Sequence, residues 1–423
     1  MVAASTSPSG ARCAAGRTGP LAGIRVLELG STVAGPFCGR LLADFGAEVI
    51  KVEPPEGDAV RTMGKRFQGK SLYAASIFRN KELVSIDLRK PEGRALVADL
   101  AAKSDVLVEN FRPGALEKWG LGYEAVSARN PGLVMVRISG FGQTGPYSQR
   151  AGYGVIGEAV SGLRHLTGDP DRAPSRVAVS MTDYITGLYA AFGASMALLA
   201  RHRTGRGQCI DAALYECAFS FMEPWIPAHQ KLGHVATRAG SRLPESTPNN
   251  LYPTGDDSYI HITAMGDAVF RRLARAMAKP ELADDPRFGD AVSRSQHDDE
   301  LDELIGHWTT AHPLATLEAA LARAGVPATR IFTIADIFAD PHYAARQAIV
   351  EAPDDELGGV AMANVVPRLS ETPGTVRHSG HRVGQDTRQV LQSVLGLPDA
   401  RIAELAALGV VLCGPDTATL GTA

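Results

Sequence analysis

Five short runs rich in branched aliphatic residues, 24–29, 48–52, 83–88, 105–109 and 133–138, alternate with longer stretches of helical pattern through the first half of this chain. That alternation dictates an α/β architecture, because a chain leaving a sheet needs a helix to bring it back in the same direction. Val106 to Val108 and Val134 to Val136 are unbroken apolar runs. They have the pattern of strands covered on both faces, so the sheet is expected to be largely parallel. The character changes after a helix expected at 215–225. Residues 229–250 read as a long polar connection, and 251–252 and 259–263 flank the turn formers Gly255-Asp256-Asp257-Ser258 as a hairpin. Helices are expected next at 268–277 and 299–310. From about Val326 the α/β pattern returns. The chain therefore reads as a large domain built from both ends (20–228 and 326–412), with a linker and small α+β domain inserted at 229–325. Residues 1–19 and 413–423 read as a disordered extension and a flexible tail.

Composition bounds the function. With 423 residues, 45% hydrophobic and 21% charged, a sizeable core is available, and the net charge of −3 provides no broad basic face for nucleic acid. A phosphorylated ligand would need a local basic pocket. The cysteines at 13, 38, 209, 217 and 413 form no CxxC pair and no ligand spacing with the histidines, so neither a metal nor a disulfide framework is indicated, and a reducing cytoplasm fits best. No apolar run is long enough to span a membrane. Arg12 and Arg17 in an N-terminal stretch without acids faintly suggest a transit peptide, but that stretch has no amphipathic period.

The segment MTDYITG, Met181 to Gly187, opens a helix expected from about Asp183 to about His202. Tyr184, Leu188, Ala191, Phe192, Ser195, Leu198 and Leu199 recur near a 3.6-residue period, and Gly205 and Gly207 supply the stop. Asp183 stands where the helix dipole favours a negative charge. On spacing alone it is a capping residue. Gly152 to Gly157 spells GxGxxG, but a loop with glycines and a proline precedes it where a dinucleotide fingerprint needs a strand. The loop Ser139 to Pro146 follows directly on an expected strand, and its glycines permit close backbone approach to a ligand. Neither a Walker A sequence nor a GxSxG elbow is present. Arg61, Lys81, Arg89, Lys90, Arg112, Lys118 and Arg150 stand at strand ends, most of them expected as solvated surface charges.

MTDYITG, followed by RHRTGRGQCIDAALYE, resembles the signature of the family III CoA-transferases, also called the CaiB/BaiF family. LAGIRVLELGSTVAGPFCGRLLADFGAEVIKVEPPEGD, VENFRPGALEKWGLGYE and VPATRIFTIADIFADPHYAARQ resemble the same family, so the likeness runs from about Pro20 to Val411. It implies a large Rossmann-like domain, an inserted small domain and an interlocked homodimer, with two long connections near 229–250 and 326–336 joining the domains. It also implies that Asp183 is the nucleophile. Arg89, Asn110, Phe111, Arg112 and Lys118 would lie at the nucleotide of CoA, Val33 and Ala34 near the thioester, and Tyr153 would be a further CoA-binding residue, at the position where the family's racemases carry a histidine. The Ser139 to Pro146 loop would border the acyl pocket. No tightly bound cofactor is implied, since CoA and acyl-CoA are substrates.

An aspartate, whose carboxyl ordinarily titrates at about pH 3.9, is ionised at neutral pH and attacks a thioester without a general base. The resemblance then implies an aspartyl anhydride and an aspartyl-CoA thioester, with CoA passed from an acyl-CoA, succinyl-CoA being a candidate donor, to a carboxylic acid. Racemases of the same family use a histidine where this chain has Tyr153, and a phenol with pKa about 10 is a poor partner for enolate chemistry. Transfer is therefore favoured over 2-methylacyl-CoA racemisation, and over a CoA-binding protein without turnover because Asp183 is intact. Gly154 replaces an acidic residue common in the family, and the glycine-rich loop of oxalate-specific formyl-CoA transferases is absent between Ser241 and Thr263. VAVSMTDYITGLYA is most similar to members acting on dicarboxylates.

Overall fold

The structure is a computed structural model, and it describes residues 17–414. The expected extension and tail lie outside these residues apart from 17–19 and 413–414. The chain forms two compact units. The first comprises the N-terminal part to Leu163, Ala178–Ile226 and the part from Ala345 onward; the second comprises Arg164–Val177 and Pro227–Ala344. The second unit thus takes in 164–177 and runs to Ala344, whereas the sequence reading places the return to the large domain near Val326.

The first unit is built on a seven-stranded sheet: β1 (Arg25–Glu28), β2 (Glu48–Glu53), β3 (Lys81–Ile86), β4 (Val106–Glu109), β5 (Val134–Ser139), β6 (Cys209–Ala213) and β7 (Val411–Leu412). Their spatial order is β7-β3-β2-β1-β4-β5-β6, all neighbours parallel except β7, which runs antiparallel to β3. The two-residue alternation of each strand sends its side chains into two separate cores. Leu27, Ile50, Val84, Leu107 and Met135 pack beneath Pro91–Ala102 and the C-terminal helices Thr387–Leu395 and Asp399–Ala407. Val26, Val49, Val106, Val108, Val134 and Val136 face Ala34–Asp44 and Met181–Thr204. Strands β6 and β7 have no counterpart in the sequence reading: β7 has only two residues, and β6 carries Asp211 in its middle.

Two departures concern helices. The expected helix 215–225 is two pieces, Leu214–Phe219 and Trp225–Leu232, with Pro224 lacking the N–H a continuous helix would need. In Met181–Thr204 the large apolar residues that set the helical period are not the buried ones. Thr182, Thr186, Gly187, Ala190, Ala191, Ala194 and Ala197 are buried, while Leu188, Phe192 and Leu199 are 58–60% exposed. Small residues let this helix lie close on Ala34–Asp44: a Cβ added to Gly187 would come within 2.8 Å of the Ala34 carbonyl oxygen.

The second unit holds an antiparallel three-stranded sheet, in the order Ala328–Arg330, Tyr259–Thr263, Asn249–Pro253. Helices Asp267–Ala276, Asp298–Thr310 and Leu314–Ala324 cover one face around Phe270, Leu301, Ile305 and Leu321. Ala328–Arg330 is thus a strand of the small sheet, in a stretch expected to be a connection.

Beneath Ala34–Asp44 lies a buried charge network. Lys81 Nζ donates to Glu28 Oε2 and to the Pro36 carbonyl, each at 2.7 Å. Lys51 Nζ donates to Asp58 Oδ2 at 2.8 Å and to the Gly30 carbonyl, and stands 3.7 Å from Glu28 Oε1. All four side chains are essentially inaccessible. Arg61 pairs with buried Glu53 at 2.7 Å, so Arg61 and Lys81 are structural rather than solvated. Lys81→Met leaves Glu28 with only the long contact to Lys51. A loss of about 3–5 kcal/mol is expected, read as a fall in the urea midpoint, with most of it recovered in the Glu28→Gln/Lys81→Met double variant.

Candidate active site

In an open parallel sheet a ligand sits at the carboxyl ends of the strands where the chain order reverses, which here is between β1 and β4. The turn after β1 is held there by two anchors. Asn110, directly after β4, accepts from Ser31 N at 2.7 Å and donates to the Ser31 carbonyl at 2.8 Å. Asp58 Oδ1 accepts from Thr32 N at 3.0 Å and fixes Thr32 in the left-handed region, φ +69°. This turn delivers Val33 and Ala34, both buried, to the start of the Ala34–Asp44 helix.

A cavity of about 310 Å³ opens at the ends of β1 to β4. Leu29, Val52, Ile86 and Phe111 form its apolar walls, and Lys51, Glu56, Asp58 and Arg89 its charged ones. Trp119 stands edge-on to Phe111, with ring centroids 5.3 Å apart. A second pocket of about 180 Å³ lies on the other side of Phe111, between Arg112, Ser139, Gly140, Arg150, Gly152 and Tyr153. Glu109 positions the Phe111 turn: Oε2 accepts from Phe111 N at 2.8 Å and Oε1 from Arg137 at 2.8 Å. Burial, opposed by Arg137, raises its carboxyl to about 6.

Of the residues singled out in the sequence, Arg89 and Phe111 line the larger cavity, and Asn110, Phe111, Arg112 and Tyr153 the smaller. The amide of Asn110 is occupied by Ser31. Lys118 is exposed at the end of Ala115–Lys118 and, with Val33 and Ala34, lines neither cavity. The Ser139 to Pro146 loop contributes its first two residues; beyond them Gln143 N turns to Asp211 at 2.8 Å. Lys51, Asp58, Glu56 and Trp119 were not singled out. The EPPEGD run, a turn after a strand with an acid at each end, was the signal for Glu56 and Asp58, while Trp119 lay in the VENFRPGALEKWGLGYE run.

Asp183 is the third residue of Met181–Thr204 and is not its N-cap, which is Ser180. Its carboxylate lies against Gly154: a Cβ built there would be 2.0 Å from Asp183 Oδ2. Tyr153, which lines the smaller pocket, immediately precedes that glycine. Beside Asp183 a second feature escaped the sequence reading. The Tyr73 and Tyr184 hydroxyls are 2.8 Å apart, and Tyr184 is set by an edge contact to Phe37 with centroids at 4.8 Å. Burial, the Tyr184 hydrogen bond and the nearby charge of Asp183 push the Tyr73 phenol far up, so it remains a neutral donor. No cluster of metal-ligating side chains occurs among the described residues, and no helix among them is long and apolar enough to cross a membrane.

The family model of CoA-transferase family III matches residues 21–387. The chain is 50% identical over 394 residues to the succinyl-CoA–D-citramalate CoA-transferase of Chloroflexus aurantiacus, covering 93% of this chain and 98% of that protein. It is 35% identical over 396 residues to the human succinyl-CoA:glutarate CoA-transferase, covering 93% and 90%. Among solved structures, a CaiB/BaiF family protein from Brucella suis superposes with TM-score 0.80 at 36% identity, covering 89% of this chain and all of that one.

Because the nearest atoms to a Cβ at Gly154 all belong to the Asp183 carboxylate, Gly154→Ala is expected to keep the thermal midpoint while displacing Asp183. Steady-state kinetics with an acyl-CoA donor should show kcat lowered about tenfold or more, and CoA affinity by calorimetry little changed.

Proposed function

We propose a particular exchange for this chain, which belongs to CoA-transferase family III and is a CoA-transferase: CoA passes from succinyl-CoA to a short dicarboxylate, D-citramalate being the first candidate. Asp183 carries the reading. It is a carboxylate in the first turn of a long helix, partly buried, with the space of a missing side chain beside it. It attacks the thioester carbonyl, giving a succinyl-aspartyl anhydride and CoA thiolate. The thiolate attacks the aspartyl carbonyl, releasing succinate and leaving aspartyl-CoA. The acceptor carboxylate displaces CoA to form a second anhydride, and the returning thiolate takes the acceptor's acyl group and frees Asp183. One thioester replaces another, so no nucleotide triphosphate is needed.

The nucleotide of CoA occupies the larger cavity with Arg89 at its mouth. Arg112 reaches the diphosphate from the smaller pocket, and the pantetheine arm runs past Tyr153 to Asp183. Neutral Tyr73 adds no second anion next to the nucleophile, which favours anionic acceptors. The names of the relatives support the dicarboxylate choice, since succinyl-CoA is paired with citramalate in one and glutarate in another.

Incubation with succinyl-CoA and a panel of acids, with mass spectrometry of the CoA products, should give citramalyl-CoA fastest and no product from monocarboxylates. Asp183→Asn, folded by circular dichroism, should transfer CoA slower by a factor on the order of a thousand. Near wild-type turnover in that variant would refute the covalent route.

The working form is proposed to be an interlocked homodimer. The apolar stripe Leu188, Phe192 and Leu199, flanked by Tyr189 and Met196, runs exposed along one helix at a spacing that suits packing against another surface. A second copy burying it explains why large residues face outward there and small ones inward. Sedimentation down to nanomolar concentration should show a dimer throughout. Folded, active monomer at that dilution would exclude interlocking.

A further inference from the structure

The mouth of the larger cavity carries an ion pair to which the exchange above assigns no role. Glu56, in the turn after β2, and Arg89, in the turn after β3, both line it. One edge of Arg89 is anchored locally, with backbone N and Nε donating to Asp87 Oδ1 at 2.9 and 2.7 Å and Nη2 to Asp87 Oδ2 at 3.1 Å. The other edge faces Glu56: Nη1 to Oε1 and Nη2 to Oε2, each at 3.1 Å. A planar fork giving two parallel contacts to two oxygens of one anion is the arrangement in which arginine holds phosphate. The Glu56 carboxylate occupies that place. The two holds differ in strength. Asp87 is nearly buried and also takes the backbone N–H, whereas the Glu56 and Arg89 side chains are 58% and 65% exposed, and exposed pairs are weakly held.

The order of sites then selects which phosphate. From Asp183 the path runs by Gly154 and Tyr153 to the smaller pocket with Arg112, past Phe111, and into the larger cavity with Arg89. CoA has the same order of parts: thiol, pantetheine, diphosphate, then ribose with its 3′-phosphate. Resting on the nucleotide placement proposed above, we propose that Arg89 binds the 3′-phosphate of CoA and that Glu56 is the resting counter-anion which this phosphate displaces. Glu56 acts through Arg89 as a positioning residue. It holds the guanidinium fork across the cavity mouth and yields it to a dianionic phosphate, so that binding is an exchange of anions.

The test is calorimetric titration of CoA and 3′-dephospho-CoA into the full chain, wild type, Glu56→Gln and Arg89→Gln, at low and high salt. Glu56→Gln should bind CoA about two- to fivefold more tightly at low ionic strength, the range an exposed pair commands. The gain should vanish near about 0.5 M salt, and dephospho-CoA affinity should stay unchanged. Arg89→Gln should bind the two ligands alike. Equal tightening for both ligands in Glu56→Gln, or unchanged or weaker CoA binding, overturns the exchange, as does discrimination that persists in Arg89→Gln. A wild-type chain that binds neither ligand refutes the nucleotide placement itself, a result distinct from these.

Discussion

The buried ammonium of Lys51 is the interaction on which the site depends. Burial alone would lower its proton affinity, but the carboxylates of Asp58, Glu28 and Glu53 outweigh that and hold it charged. Lys81, close by, goes the other way, because burial is only partly offset by Glu28. Desolvating such groups is expensive, and an apolar replacement of equal shape would be at least as stable. What the network supplies is geometry. Lys51 bonds the Gly30 carbonyl and Asp58, and Asp58 bonds Thr32 and Val60, so a single cation sets the turn after β1 and the turn after β2 together. Those turns form one side of the larger cavity.

Absent side chains shape the site as much as present ones. Gly39 makes room for the Glu28 carboxylate, since a Cβ there would lie 1.8 Å from Oε2. Gly187 lets the helix bearing Asp183 approach the helix that begins at Ala34, and Gly154 leaves the volume into which the Asp183 carboxylate leans. Asp183 is thus placed by close backbone approach on one side and by an unfilled space on the other. A freely solvated aspartate would have neither constraint, and orientation of this kind is a large part of what a covalent catalyst needs.

Much of the architecture is legible in the chain itself. Strands of branched aliphatics recurring between helical stretches determine an α/β fold, because strands apolar on both faces need cover on both sides and the intervening helices supply it over a parallel sheet. The segment around Asp183 and the runs that follow β1 and β4 identify the chemistry by resemblance, and the turn formers at Gly255 to Ser258 mark the small hairpin. Short strands are harder to read: Val411–Leu412 has two residues, and its state is decided by pairing with Ile86 and Ser85, more than 300 positions away.

Periodicity located the Met181–Thr204 helix but could not say which face is buried. Large apolar residues predict the inner face when burial of area decides, whereas here helix-to-helix distance decides, and the alanine and glycine stripe is the one that fits. Charge likewise has no fixed meaning in one dimension. Arg61, Lys81 and Arg89 look alike at strand ends, yet the fold buries the second beside Glu28, ties the first to buried Glu53, and leaves the third exposed between Asp87 and Glu56. Sequence by itself determined the fold class and the reaction family, since these follow from local patterns of residue type. The partners of each charge, the outward face of the long helix and the joining of the β1 and β2 turns through Lys51 were decided only by tertiary structure, because each depends on groups that the folded backbone brings together from distant positions.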